Sequence, residues 1–90
     1  MKKQIAILGS TGSIGTQALQ VIEEQPDLYE VYALTANNSV DLLVEQARKF
    51  MPEAVVIANE EKYLQLKEAL SDLPVKVYAG ADALSQIVES

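Results

Sequence analysis

Three glycines at three-residue intervals stand in the run Gly9-Ser10-Thr11-Gly12-Ser13-Ile14-Gly15, directly after the apolar stretch Ile5-Ala6-Ile7-Leu8. A strand, a glycine turn and then a helix form an anion-binding device. Glycine lets the chain turn tightly and lets phosphates approach the backbone, while the free N–H groups at the helix start point at their charge. The spacing, Gly-x-x-Gly-x-x-Gly, differs by one residue from the commonest dinucleotide fingerprint but sits in the same context. Gly9 permits the turn, Gly12 allows close approach of a pyrophosphate, and Gly15 lets the helix pack tightly against the sheet. Thr11 and Ser13 add hydroxyl donors. A nucleoside-triphosphate loop requires Lys-Ser/Thr after its last glycine; Thr16-Gln17 stands there and excludes it. The competing structural reading is that these small residues only shape the turn and cap the helix.

A second polar loop, Thr35-Ala36-Asn37-Asn38-Ser39, follows about 20 residues later, where a dinucleotide fold meets the adenosine ribose. NAD enzymes usually place a carboxylate there to accept from the 2′-hydroxyl. This loop is neutral. The missing acid and the amide donors of Asn37 and Asn38 favour a 2′-phosphate, hence NADP over NAD. The bland alternative for both asparagines is a turn and helix cap.

Composition narrows the remaining chemistry. The 90 residues are 49% hydrophobic and contain neither cysteine nor histidine, which excludes disulfides, thiolate nucleophiles, the usual zinc ligands and histidine acid–base catalysis. Thirteen acidic against seven basic residues give a net charge of −6, which speaks against nucleic acid or an anionic membrane as partner. Any bound anion must be held locally. No apolar span approaches the ~20 residues that cross a bilayer, and Met1-Lys2-Lys3 leads into a strand, so a cytoplasmic location is expected. Glu23-Glu24, Glu60-Glu61 and Arg48-Lys49 read as solvated helix faces, and the four tyrosines and Phe50 as core and rim. No metal site or nucleophile–base pair stands out.

The chain alternates strand and helix. Residues 4–8 read as a strand covered on both faces, and the next helix carries Ile14, Ala18, Val21 and Ile22 at helical spacing until Pro26 ends it. Residues 29–34 form a second strand. Ser39 caps a helix with Val40, Leu43, Val44, Ala47 and Met51 on one face, stopped by Pro52. Residues 54–58 are the clearest buried strand. Asn59 opens a helix bearing Tyr63, Leu66, Leu70 and Leu73; residues 75–78 are a fourth strand; residues 80–90 begin a last helix with Leu84, Ile87 and Val88 inward.

Four successive βα units predict an α/β fold with a Rossmann-like parallel sheet and right-handed crossovers. With the strands in the order 1-2-3-4, the first three helices share one face and leave the other bare. A doubly wound fold covers that face with later units, so residues 1–90 are expected to be the amino-terminal part of a longer nucleotide-binding domain. The alternative sets the fourth strand beside the first, making a small two-sided unit.

The run from Ile5 to Thr16, together with Ala33-Leu34-Thr35-Ala36-Asn37-Asn38-Ser39-Val40, the Leu42-Leu43-Val44-Glu45-Gln46 helix and the Gly80 turn, resembles the amino terminus of the 1-deoxy-D-xylulose 5-phosphate reductoisomerases. The resemblance implies an NADPH-dependent enzyme of non-mevalonate isoprenoid synthesis. Such an enzyme rearranges and reduces that sugar phosphate to 2-C-methyl-D-erythritol 4-phosphate with a divalent metal, magnesium or manganese, as a homodimer. It implies that Thr11, Gly12, Ser13 and Ile14 line the pyrophosphate and nicotinamide side, and Ala36, Asn37 and Asn38 the 2′-phosphate side. It places the metal ligands and catalytic residues outside this chain. Two other readings stand beside it: another reductase with the same glycine spacing, and a stand-alone dinucleotide-sensing module.

Overall fold

The computed structural model describes residues 2–89, with the backbone only for 87–89. Its elements are β1 (Lys3–Ile7), α1 (Ser13–Glu24), β2 (Tyr29–Ala36), α2 (Val40–Phe50), β3 (Ala54–Ile57), a 3-10 turn (Glu60–Lys62), α3 (Tyr63–Ala69), β4 (Lys76–Ala79) and α4 (Ala81–Glu89). All strand pairs among the described residues are parallel, in the order β1-β2-β3-β4. The α/β Rossmann-like expectation and the 1-2-3-4 order both hold. The fourth strand lies beside β3, not β1.

Register explains which residues meet. Ile7, Leu34, Val55 and Val77 form one cross-strand row, and Ala36, Ile57 and Ala79 another. Both rows belong to the main core, with Leu19 and Ile22 of α1, Val40, Leu43 and Ala47 of α2, and Leu66 of α3. Between Ile5 and Ala6 the pairing slips: Ile5 meets Val31, but Ala6 meets Ala33. This bulge leaves Tyr32 as an extra residue in β2 and turns Val31 and Leu34 to the same side.

The opposite face carries small residues. Ala33, Ala54, Thr35 and Val56 are buried there, while Ala6 and Leu8 on the β1 side are exposed. This face is therefore not wholly bare. α4 returns over it, and Ala83 and Gln86 line a cleft with Tyr32, Ala54, Lys76 and Tyr78. Leu84 is half-buried; the side chains of Ile87 and Val88 lie outside the described residues. Only the β1 side matches the expected bare surface, so β1 is not covered on both faces within this chain.

Helix α1 differs from its sequence reading. Its buried residues are Gly15, Leu19 and Ile22, whereas Ile14 is 84% and Val21 50% exposed. The phase follows from Gly15, which must face the turn below it, so the inward stripe runs through Gly15, Leu19 and Ile22 at intervals of four and three. Met51 similarly leaves the α2 stripe: it is the C-cap, at φ 50°, and is half-exposed. In its last turn, α2 is tied to the end of α3 and the residues after it by Arg48, which donates to Asp72 at 2.9 and 3.0 Å and to the Ala69 carbonyl at 2.8 Å.

Two outcomes check this packing. In urea titrations, Ile22→Ala is expected to cost about 2–5 kcal/mol and its neighbour Val21→Ala to stay within about 0.5 kcal/mol of wild type. The hydrogen bond from Arg48 lowers the Asp72 pKa from its ordinary value. Its stabilising contribution is therefore present above the ordinary carboxylate range and lost as pH falls through the lowered value. The small stability gap between wild type and Asp72→Asn at neutral pH should close under acid.

Candidate functional site

The glycine turn leaves the carboxyl end of β1, and its three glycines are needed for different reasons. Gly9 has φ +67°, a left-handed conformation that suits glycine. At Gly15 a Cβ would overlap the Gly9 carbonyl oxygen and lie 2.6 Å from Ser10 Cα. Backbone cannot yield there, so α1 starts on the turn only because residue 15 has no side chain. The close partner is the turn itself rather than the sheet. Gly12 is extended, at φ −84° and ψ 175°, and a Cβ there would meet only the Gly9 oxygen at 3.4 Å, an ordinary contact. Internal packing does not demand glycine at residue 12, and its outer surface is left bare.

The donors lie immediately beyond. Gly12 is the N-cap of α1 and supplies no side-chain cap. Among the described residues, the backbone N–H groups of Ser13, Ile14 and Gly15 have no protein acceptor; the first amide paired back is that of Thr16, to the Gly12 carbonyl at 2.9 Å. The first turn of α1 contains no acid, whereas α2 has Asp41 and the 3-10 turn has Glu60 and Glu61. The partial positive charge at the start of α1 is left uncompensated in an otherwise acidic chain. Thr11 is half-buried and Ser13 exposed beside these amides.

What holds the turn in place was not visible in the sequence reading. Ser10 is fully buried; its hydroxyl donates to Gln46 Oε1 at 2.7 Å and its carbonyl accepts from Gln46 Nε2 at 2.8 Å. Its amide donates to the Thr35 carbonyl at 2.8 Å, and the Gly9 amide donates to Thr35 Oγ1 at 2.8 Å. Gln46 on α2 and Thr35 on β2 thus clamp the turn from two sides. A polar residue on the apolar face of α2, between Leu43 and Ala47, was the available signal.

The second loop is shorter than expected, because β2 runs through Thr35 and Ala36. The Ala36 side chain is 3% exposed in the core, so this residue sets where the chain leaves the sheet. Asn37 and Asn38 are exposed at the same sheet edge as the glycine turn, since β1 and β2 are neighbours. Ser39 occupies the N-cap of α2, without a side-chain cap bond. Asn38 Oδ1 accepts from Asn59 Nδ2 at 2.7 Å, and the Asn37 carbonyl accepts from the Asn59 amide at 3.0 Å. The seven residues singled out in the sequence thus fall on two adjacent strand ends. Among the described residues, no group of three or more Asp or Glu side chains could hold a metal ion, and no helix is long and apolar enough to cross a membrane.

The family model described as 1-deoxy-D-xylulose 5-phosphate reductoisomerase matches residues 5–90. A reductoisomerase of that name from Phocaeicola vulgatus is 98% identical over 90 residues, covering 100% of this chain and 24% of the relative. One from Porphyromonas gingivalis is 64% identical over 88 residues, covering 98% and 23%. The solved reductoisomerase of Zymomonas mobilis in complex with NADPH superposes with a TM-score of 0.92 at 43% identity, covering 96% of this chain and 23% of that one. A reductoisomerase in complex with NADPH, fosmidomycin and magnesium superposes with a TM-score of 0.87 at 34% identity, covering 91% and 20%. The chain spans about a quarter of the length of the curated relatives it matches.

The clamp is open to direct test. Gln46→Leu keeps the side-chain bulk but leaves the buried Ser10 carbonyl without its partner, at an expected cost of about 1–3 kcal/mol in urea unfolding. A loss below about 0.5 kcal/mol would show that the pair does not stabilise the turn.

Proposed function

The chain belongs to the 1-deoxy-D-xylulose 5-phosphate reductoisomerase family, and on that footing we propose that it is the amino-terminal, NADPH-binding part of such an enzyme. The whole enzyme rearranges 1-deoxy-D-xylulose 5-phosphate and reduces the product to 2-C-methyl-D-erythritol 4-phosphate in non-mevalonate isoprenoid synthesis. It works in the cytoplasm, as a homodimer, with magnesium or manganese. Residues 1–90 form the first part of its nucleotide-binding domain.

The observation that carries this reading is the row of unpaired amides at Ser13, Ile14 and Gly15 behind the bare backbone of Gly12. These groups fit a pyrophosphate: they are fixed donors at a helix start that no acidic side chain neutralises. Thr11, Gly12, Ser13 and Ile14 hold the pyrophosphate and reach toward the nicotinamide; Ala36, Asn37 and Asn38 form the 2′-phosphate side. The 84% exposure of Ile14 is consistent with contact to a ligand lying over the turn. NADPH, when bound, supplies the hydride. This chain's residues bind and orient the coenzyme, and Gly9, Gly15, Ser10 and Gln46 keep the donors aimed. The described residues do not fit the metal, since they bring no three carboxylates together, and no step through a metal is assigned to them.

Fluorescence titration of NADPH tests the proposal. Loss of two charge-assisted bonds corresponds to a factor of about a hundred or more, and Gly12→Val, which fills the bare surface, is expected to weaken binding by that order. Unchanged affinity would overturn the phosphate-cradle assignment. The neutral loop after β2 predicts tighter binding of NADPH than of NADH, and equal affinities would remove the assignment of Asn37 and Asn38.

A further inference from the structure

Asn59, at the end of β3, belongs to none of the residues assigned above, yet every polar group it has is committed. Its amide donates to the Asn37 carbonyl at 3.0 Å, its carbonyl accepts from Lys62 at 3.0 Å, its Oδ1 accepts from the Glu61 amide at 3.0 Å, and its Nδ2 donates to Asn38 Oδ1 at 2.7 Å. We propose that Asn59 is a positioning residue for coenzyme choice: it fixes which end of the Asn38 amide faces the nucleotide. The inference rests on the reading of Asn38 as part of the 2′-phosphate side.

A side-chain amide has an acceptor end and a donor end, and local partners decide which way it points. The Glu61 N–H can only donate, so it draws Asn59 Oδ1 toward itself. Asn59 Nδ2 is then left to face Asn38. Being a donor, it requires Asn38 Oδ1 in return, and the Asn38 NH2 turns outward. Among the described residues that NH2 has no protein acceptor. A 2′-phosphate offers oxygens that accept, which matches the outward NH2; a carbonyl in its place would repel them. A 2′-hydroxyl can donate and would accept the reversed amide equally well. No Lys or Arg stands within residues 35–39, so the direction of this amide carries a large share of the discrimination.

The chain of orientation can be reversed at one atom. Asn59→Asp keeps the acceptor for the Glu61 amide, and with it the turn, but replaces the donor with a carboxylate oxygen. The Asn38 NH2 should then swing inward and its Oδ1 outward. Equilibrium titration of the protein with NADPH and NADH is expected to show the NADPH-over-NADH preference falling about tenfold or more, with NADH binding no weaker than in wild type. The added charge alone could repel the phosphate, and a double-mutant cycle separates the two effects. In an Asn38→Ala background, Asn59→Asp should leave the preference unchanged if it acts through Asn38. A preference that still falls in that background, or one that survives Asn59→Asp in the native background, overturns the inference alone. Equal binding of the two nucleotides by wild type removes the assignment of Asn37 and Asn38 to the 2′-phosphate side, and the inference with it.

Discussion

The buried pair between Ser10 and Gln46 is the contact on which the site depends. The Ser10 carbonyl lies four residues before Ile14, and it is turned inward to Gln46 rather than up toward the Ile14 amide. The same pair, with the bonds from Ser10 and Gly9 to Thr35, fixes the turn to the ends of β2 and α2. A flexible glycine loop would lose much of its ligand affinity to ordering; a clamped one meets the anion with its donors already aimed. Burying four polar groups to achieve this is tolerable because each is paired, and among the described residues no buried side-chain nitrogen or oxygen lacks a partner.

The sheet supplies the second constraint, which is adjacency. Parallel strands put all their carboxyl ends on one edge, so the glycine turn after β1 and the asparagine loop after β2 stand side by side without any contact made for that purpose. β3 adds Asn59 to the same edge, where it braces the loop from the other side. The edge presents helix-start amides and side-chain amides, with no cysteine or histidine anywhere in the chain. On the reading proposed above, its work is recognition of phosphate and orientation of a coenzyme. The chain spans about a quarter of the length of its relatives, and on that reading it holds one reactant in place.

Much of this could be derived from residue order. The glycine spacing, the punctuation by Pro26 and Pro52, and the wholly apolar run at β3 specify strand, turn and helix locally. Crossover handedness then leaves few strand orders, and the observed one is the simplest. The neutral loop and the missing lysine after Gly15 bear directly on ligand type because they are statements about charge at a known distance from the turn. The resemblance to the reductoisomerase family starts from the same short runs, and the family membership rests on a match over residues 5–90.

Tertiary structure decided what depends on through-space contact. Periodicity in α1 allows two neighbouring stripes, one through Ile14 and Val21 and one through Leu19 and Ile22; only the press of Gly15 on the Gly9 backbone chooses between them. The roles of Gln46 and Asn59 rest on bonds to residues 36 and 21 positions away, beyond any local pattern. The return of α4 over the second face likewise appears only once the sheet exists. Sequence by itself determined that a glycine turn leads into a helix start at the end of the first strand, because turn and helix-start geometry are local properties of glycine. Which amides stay free there, and which way Asn38 points, were decided by the fold, because a hydrogen bond's direction is set by partners that folding brings together.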